Sequence, residues 1–569
     1  YDEKEDVRAR DFPAGVDMIP REKLQEVQNK YRDISGVSVI VYVQTCAAEK
    51  RRRRKRGAFS DPAERLVINP SVCEGCGDCG VQSNCVSILP LETPLGRKRQ
   101  IDQSSCNKDY SCVSGFCPSF ATVSGGQLRK LKARSLEVPK LPLPALPEID
   151  GTHNIIITGV GGTGVVTIGA LLAMAAHLDG KAAGMMEMAG LAQKGGAVHI
   201  HCRLGLKPED ISAIRVALGE CHTLIGGDLV VSAQGSTLGL IRPKGAAVVN
   251  NYEIITGDFT RDTKFQIPGA DLELAIKARF QDKVMLLDAT KLAEQALGDT
   301  VYANMILLGA AFQAGLLPIS LKALEEAIVL NGTKVKENQT AFTLGRWRTI
   351  DENVSNQFES RGQKIRDYGQ TIYEQLKGYG SGRLARYEDM KLKLTGAPHE
   401  GQILKSYFKL LTYKDEYEVA RLLQNTKLQV SEMFEGDYSI QYQLAPPMVS
   451  RVGVNGRPQK RSFGPWFHKV AAVLARLKVL RETPIDIFGY TTERRMERQM
   501  ISDFESLTAQ YLSDYEPKLF DVWHELLGLP QNVVGFGPVK LANAITMEKR
   551  RSELLKQLVT VDAGTPKVA

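Results

Sequence analysis

Seven of the ten cysteines fall between positions 73 and 117. The first group reads Cys73-x2-Cys76-x2-Cys79-x5-Cys85, and the second reads Cys106-x5-Cys112-x4-Cys117-Pro118. Thiolates spaced by two residues curl around one corner of an inorganic cube, and a distant cysteine followed by proline is the customary fourth ligand. Zinc prefers paired CxxC knuckles with four ligands per ion, which a CxxCxxC triplet among seven cysteines fits poorly. Disulfide frameworks belong to small secreted domains. This chain has 569 residues, and its opening Tyr1-Asp-Glu-Lys-Glu reads as the middle of a longer polypeptide rather than as a secretory signal. The pattern predicts iron–sulfur chemistry in a reducing, cytoplasmic setting.

In two-cluster iron–sulfur proteins each cysteine triplet takes its fourth ligand from the other half of the motif. Here that assigns Cys73, Cys76, Cys79 and Cys117 to one cluster, and Cys106, Cys112 and Cys85 to a second. The second set is one thiolate short. Asp109 stands at the missing place, in Cys106-x2-Asp109-x2-Cys112. A carboxylate can bind one iron or leave a labile corner. Two [4Fe–4S] clusters are therefore expected, the second ligated by Asp109 or reduced to three irons. Cys46, Cys202 and Cys221 are scattered and read as ordinary buried cysteines.

A glycine turn is the other chemical feature. Gly159-Val-Gly161-Gly162-Thr163-Gly164 follows the β-branched run Ile155 to Thr158 and opens an Ala/Leu-rich helix, Val165 to His177. Glycines permit the tight turn, and a helix N-terminus favours phosphate. Glu187 falls at the end of the next strand, where a dinucleotide-binding domain keeps its ribose-binding acid. A second glycine-rich loop follows, with Gln193 and Lys194 ahead of Gly195-Gly196. The residues leave three readings open: a site for NAD(P) or FAD, a site for another anion, or close backbone packing at an interface.

Several elements must position these groups. Residues 1–60 give a charged helix, Arg21 to Asp33, and an apolar strand, Val37 to Val43, which read as the tail of an incomplete α/β domain. Residues 61–125 are rich in Cys and Gly, with little room for a conventional core. Val138 to Pro147 holds four prolines in ten residues, which makes 126–152 an extended linker. From 153 to 346, strands Ile155–Thr158, Gly184–Met188, Val198–Leu204, Ala246–Asn250 and Val284–Leu287 alternate with helices that include Met305–Ala314 and Leu321–Leu330. Such alternation predicts a mostly parallel sheet with helices on both faces. Residues 347–569 are mostly helical, with apolar spacing in Glu416–Leu423, Trp466–Leu480, Thr491–Tyr511 and Met547–Val559.

Hydrophobic residues make up 43% and charged residues 24% of the chain, and no stretch reaches the roughly 20 apolar residues of a membrane span. The net charge of +8 gathers in the run Lys50 to Arg56. No nucleic-acid-binding motif accompanies that run, so it reads as a solvated basic loop or a patch for an acidic partner.

Taken together these segments resemble the indolepyruvate:ferredoxin oxidoreductase family, within the 2-oxoacid:ferredoxin oxidoreductases. The iron–sulfur motifs Val72-Cys-Glu-Gly-Cys-Gly-Asp-Cys79, Asp102-Gln-Ser-Ser-Cys-Asn-Lys-Asp109 and Gly115-Phe-Cys-Pro-Ser-Phe120 carry the resemblance. So do Gly159-Val-Gly-Gly-Thr-Gly-Val165 and Ala189-Gly-Leu-Ala-Gln-Lys-Gly-Gly196, which look like the family's gamma-type domain. Gln44-Thr-Cys-Ala-Ala-Glu-Lys50 resembles the end of its thiamine diphosphate domain. Tyr413-Lys-Asp-Glu-Tyr-Glu-Val-Ala-Arg421, Phe463-Gly-Pro-Trp466 and Phe488-Gly-Tyr-Thr-Thr-Glu-Arg494 resemble the tail of the long fused bacterial members.

The resemblance implies a multidomain α/β enzyme that has a ferredoxin-like two-cluster module, a parallel-sheet gamma-type domain and a helical tail. Its reaction would be oxidative decarboxylation of a 2-oxo acid, typically an arylpyruvate, to an acyl-CoA, with coenzyme A as co-substrate and ferredoxin as electron acceptor. Residues Gly159 to Gly164 and Glu187 to Gly196 would line or support the active site. No Gly-Asp-Gly with a downstream Asn pair is present, so thiamine diphosphate and Mg²⁺ would be bound mainly by residues outside this chain. The resemblance implies a homo-oligomer or a complex with the thiamine diphosphate-binding part, and neither a membrane nor nucleic acid as partner. A dinucleotide-linked iron–sulfur oxidoreductase and a non-catalytic electron-transfer or assembly subunit are the alternatives.

Overall fold

The computed structural model describes residues 7–129, 138–161, 163–189, 196–253, 262, 265–358, 368–446, 450 and 457–563. The chain divides into two units, one of residues 1–63 with 105–109, and the other of 64–104 with 110–569.

The smaller unit holds the helices Leu24–Arg32 and Ala47–Lys55. The basic run therefore lies on a helix rather than in a loop. Glu49 pairs along that helix with Arg52 and Arg53 at 3.2 and 3.0 Å. The expected strand Val37–Val43 does not form, and its residues are extended and mostly exposed. A strand needs a neighbouring ladder to satisfy its backbone groups. Among the described residues none pairs with this run. Cys46 is likewise exposed, contrary to expectation.

The larger unit is built on a six-stranded sheet ordered β10-β9-β8-β5-β7-β6. Its strands are β5 (Thr152–Val160), β6 (Ala182–Ala189), β7 (Ala197–Gly205), β8 (Cys221–Gly226), β9 (Ile241–Asn250) and β10 (Val284–Leu287). β5, β8, β9 and β10 run parallel. β7 is antiparallel to both β5 and β6, so the sheet is mixed rather than parallel throughout. The connection from β6 to β7 explains this, because seven residues are too few for the dozen or so that a parallel crossover needs. Alternation along β5 sends Ile155 and Ile157 into one core and Ile156 into the core on the opposite face. Both faces are covered, as buried strands of this composition require.

Two glycines set the spacing of a helix pair on that sheet. Gly309 in Ala303–Gln313 lies against the Phe342 carbonyl of Val335–Ile350, and Gly345 lies against the Ile306 carbonyl. A Cβ at either place would overlap the facing backbone. Gly309→Ala must push the helices apart and is expected to cost about 3 kcal/mol, read as a lower denaturation midpoint at unchanged slope.

His153, at the start of β5, is buried with Nε2 3.2 Å from Thr223 Oγ1 and 3.1 Å from the Leu316 carbonyl. Its ring stacks on His222 at 4.8 Å. Burial, and then the neighbouring His222, lower its pKa from 6.5 to about 4. The unfolded chain takes up this proton near 6.5 and the native chain only near 4. Stability is therefore complete above pH 6.5 and falls between 6.5 and 4, by about 3 kcal/mol from this residue. Urea titrations across that range should show the decline, and His153→Gln should flatten it.

A second sheet, β1-β4-β11-β12, is antiparallel throughout. It joins β1 (Glu64–Ile68) and β4 (Phe120–Leu128) to β11 (Phe434–Leu444) and β12 (Arg461–Phe463). The cysteine-rich segment and the C-terminal region thus share one sheet instead of forming separate bodies. Helices Glu400–Leu411, Thr492–Asp514 and Phe520–Gly528 close a separate core around Tyr407, Phe504 and Trp523. From 138 to 149 the proline-rich linker is neither helix nor strand and is pinned, with Arg346 and Gln313 both donating to the Pro142 carbonyl. Among the described residues no helix is long and apolar enough to cross a membrane.

Candidate functional site

Strand pairing brings the Cys73 and Cys117 segments together. β1 and β4 are antiparallel with Ile68 opposite Phe120, so the loop leaving β1 and the Cys117-Pro118 segment entering β4 meet at one end of the sheet. Asn69 shapes the exit from β1. Its side-chain oxygen accepts from the amides of Ser71 and Val72, at 2.9 and 3.3 Å. Its amide nitrogen donates to the Leu422 carbonyl and Thr426 Oγ1, at 3.1 and 2.8 Å. Cys73 follows, and the Gly75 amide donates to its sulfur at 3.3 Å.

Cys79 lies on the short helix Asp78–Ser83. Asp78 accepts the Phe116 amide at 2.7 Å and the Arg457 guanidinium at 2.9 and 3.1 Å. These bonds hold the 115–117 segment against the helix. Ser119 Oγ lies 2.9 Å from the Cys117 sulfur.

The four thiols of Cys73, Cys76, Cys79 and Cys117 interact electrostatically with one another. Burial first, and Cys117 next, push Cys76 up; burial and then Cys73 do the same to Cys79. Cys117 is raised to about 11 by burial and then by Cys73. Thiols in such a place become thiolates when a metal supplies the positive charge. None of the ten cysteines forms a disulfide. Among the described residues no three His, Cys, Asp or Glu side chains converge on a single-ion site. A cube binds each thiolate through a different iron, so its ligands surround a volume rather than a point. Four thiols within electrostatic range of one another are a donor set of the chemistry that such a cube requires.

Of the other expected ligands, Cys85 and Cys112 lie in the larger unit, and Cys112 is within electrostatic range of Cys79. Cys106 and Asp109 lie in the smaller unit, where the Lys108 amide donates to the Cys106 sulfur at 3.4 Å. Cys202 and Cys221 are buried in β7 and β8, as ordinary core cysteines.

Sequence reasoning did not find the charges around the first four thiols. Arg99 on β3 (Lys98–Ile101) is buried, in electrostatic range of Cys73, Cys79 and Cys76. Lys414 pairs with Glu74 at 2.9 Å and donates to the carbonyls of Val72 and Cys73. A cleft of about 1190 Å³ opens beside Cys76, with Lys98, Lys409, Lys414 and Lys540 on its walls. Burial lowers Lys409 to about 7. No local signal marks these residues, because each joins the site from a distant part of the chain.

The glycine turn sits between β5 and the helix Val166–Leu178. Gly164 has φ +85°, and a Cβ there would lie 3.1 Å from Asn304 Nδ2, which donates to the Thr163 carbonyl at 2.8 Å. Thr163 Oγ1 donates to the Val160 carbonyl at 2.7 Å, and the Gly161 amide to the Gly196 carbonyl at 2.7 Å. Gly159 packs on Val165. Gly162, Gln193 and Lys194 lie outside the described residues. Glu187 is exposed on the edge strand β6, with β7 between it and β5. In a dinucleotide-binding sheet the acid-bearing strand lies directly beside the strand of the glycine turn. That arrangement is not met here.

Residues 154–347 match the family model described as pyruvate ferredoxin/flavodoxin oxidoreductase. Residues 379–553 match a family of unknown function, DUF6537. The indolepyruvate oxidoreductase subunit IorB of Pyrococcus horikoshii is 28% identical over 195 residues, which is 34% of this chain and 94% of the relative. The 2-oxoglutarate synthase subunit KorC of Methanothermobacter thermautotrophicus is 29% identical over 202 residues, 35% of this chain and 95% of that one. The gamma subunit of a keto/oxoacid ferredoxin oxidoreductase from Geobacter sulfurreducens is 21% identical, covering 35% of this chain and 98% of its own, with a TM-score of 0.26. Through residues 154–347 the chain is similar to subunits of 2-oxoacid:ferredoxin oxidoreductases.

Proposed function

We propose that this chain is the electron-transferring part of a 2-oxo acid:ferredoxin oxidoreductase acting on an arylpyruvate such as indolepyruvate. The observation that carries the reading is the gathering of Cys73, Cys76, Cys79 and Cys117 in one unit with a superfamily domain. Two relatives named as indolepyruvate oxidoreductase subunits favour the aromatic substrate over others. The product is an acyl-CoA formed with coenzyme A, and the final acceptor is ferredoxin.

Thiamine diphosphate, held with Mg²⁺ mainly by residues beyond this chain, supplies the carbanion chemistry. This chain's residues do the rest. Asn69 and Asp78 hold the thiol-bearing loops in register. Gly159, Gly161, Thr163, Gly164 and Glu187, with Gly162, Gln193 and Lys194, support the active site from the superfamily domain. Cys85, Cys106, Asp109 and Cys112 are assigned to the second cluster from their spacing in the sequence alone. Asp109→Cys is expected to change that cluster's electron paramagnetic resonance (EPR) spectrum and raise its iron content if the native form has three irons. An unchanged spectrum excludes Asp109 as a ligand.

The test of the whole reading is an anaerobic assay of the chain together with its thiamine diphosphate-binding part. Arylpyruvates, branched-chain 2-oxo acids and pyruvate are compared, with coenzyme A and ferredoxin. Arylpyruvate-dependent ferredoxin reduction supports the reading, and reduction driven only by NADPH overturns it.

A further inference from the structure

One cation beside the thiols has no acceptor among the described residues. Lys460 immediately precedes β12, within the region of unknown function at 379–553. Its ammonium nitrogen is buried and makes no hydrogen bond to the described residues. It rests 4.6 Å from the centroid of the Phe120 ring, where β4 begins. A cation–π contact returns only part of what burying an ammonium costs. An isolated buried charge of this kind is retained only where something compensates it.

The groups facing Lys460 are Cys117, Cys79, Cys112 and Asp78. Asp78 is already engaged by Arg457 and the Phe116 amide. The remaining three are sulfurs, two of them in the set assigned to the first cluster. A protonated thiol offers an ammonium no charge, but an iron–sulfur cube with its four thiolates is an anion. Arg99 on β3 is within electrostatic range of Cys73, Cys79 and Cys76, sharing only Cys79 with Lys460, and differs in having a hydrogen-bond acceptor, the Lys98 carbonyl at 3.3 Å.

We propose that Lys460 is the buried counter-cation of the cluster held by Cys73, Cys76, Cys79 and Cys117, and that it raises that cluster's reduction potential. The inference rests on the iron–sulfur reading above. Reduction adds one electron, delivered from oxidation of the 2-oxo acid, to a cluster that is already negative. No bond is made or broken, and the electron leaves to ferredoxin. A fixed positive charge stabilises the reduced form more than the oxidised form, so the potential rises. The C-terminal region thereby acquires an electrostatic task, setting how readily electrons leave the substrate side.

The experiment is an EPR-monitored redox titration of the anaerobically purified complete chain as wild type, Lys460→Met and Lys460→Arg. In Lys460→Met the ratio of reduced to oxidised first cluster at a fixed potential should fall at least tenfold, equal to 59 mV for one electron. Lys460→Arg should stay close to wild type. An unshifted Lys460→Met titration overturns the proposal while leaving the cluster reading intact. A wild type without iron removes the required anion and overturns both. Should Lys460→Met hold no cluster, melting of the cluster-free proteins decides. A higher melting temperature in the Met variant than in cluster-free wild type supports an ammonium with no protein partner. A lower one shows that Lys460 has such a partner, and overturns the proposal.

Discussion

Cys117→Ser is expected to halve the iron of the anaerobic protein, from about eight to about four atoms per chain. It should also remove one of two EPR components. Cys117 is the distant ligand that closes the set begun by the Cys73–Cys79 loop, and it sits where β4 meets β1. A serine oxygen is a harder and weaker ligand for iron than a thiolate, and the buried site admits no replacement from solvent. Cys202→Ser is the matched control. Cys202 is equally buried, but it lies in β7 within the six-stranded sheet. It should alter stability and leave iron content unchanged. Iron and labile-sulfide assays on both variants decide the matter, and equal iron in Cys117→Ser and wild type contradicts the ligand assignment.

The second large effect concerns the charges that dock the C-terminal helices. Glu497 is buried between Arg494 and Lys540, the latter at 2.6 Å. Arg494 also reaches Glu416 at 3.2 Å. Burial alone would lower Lys540, but Glu497 and then Glu74 raise it. Glu497→Ala leaves Lys540 without its nearest anion and Arg494 short of one. Breaking a buried pair in this way costs about 3–5 kcal/mol. Lys540 and Glu74 also interact across the cleft beside Cys76. The variant should therefore lower the denaturation midpoint and speed loss of the cluster in air. A change below about 1 kcal/mol would show that the network is solvated in solution.

The elements with a strong local period were legible from the chain alone. Glu416–Leu423 and Val284–Leu287 coincide with the observed helix and strand. The helices beginning near Val165, Met305 and Leu321 are displaced by at most two residues at either end. Elements defined by distant partners were not legible. β11 is read only against β4, some three hundred residues earlier, and Glu435 to Tyr438 are interrupted by a bulge. The antiparallel setting of β7 depends on a short connection whose length matters more than its residue types. Val37–Val43 has strand composition but no described neighbour, so composition misled.

The site followed the same rule. Thiol spacing is a local property and announces iron–sulfur chemistry directly. The charges around these thiols are non-local: Arg99 comes from β3, Lys414 from before a helix, and Lys460 from before an edge strand. Glu187 shows the converse, a residue at the right distance in sequence that the strand order moves one strand away from the glycine turn.

The central claim is that these buried thiols share an inorganic cluster. Its most direct test is iron and acid-labile sulfide analysis of the chain purified without oxygen, with EPR after dithionite reduction. The account expects a brown protein with near-equal iron and sulfide and a low-temperature signal from a reduced cube. A colourless, iron-free protein that gains neither colour nor signal on anaerobic reconstitution would contradict it.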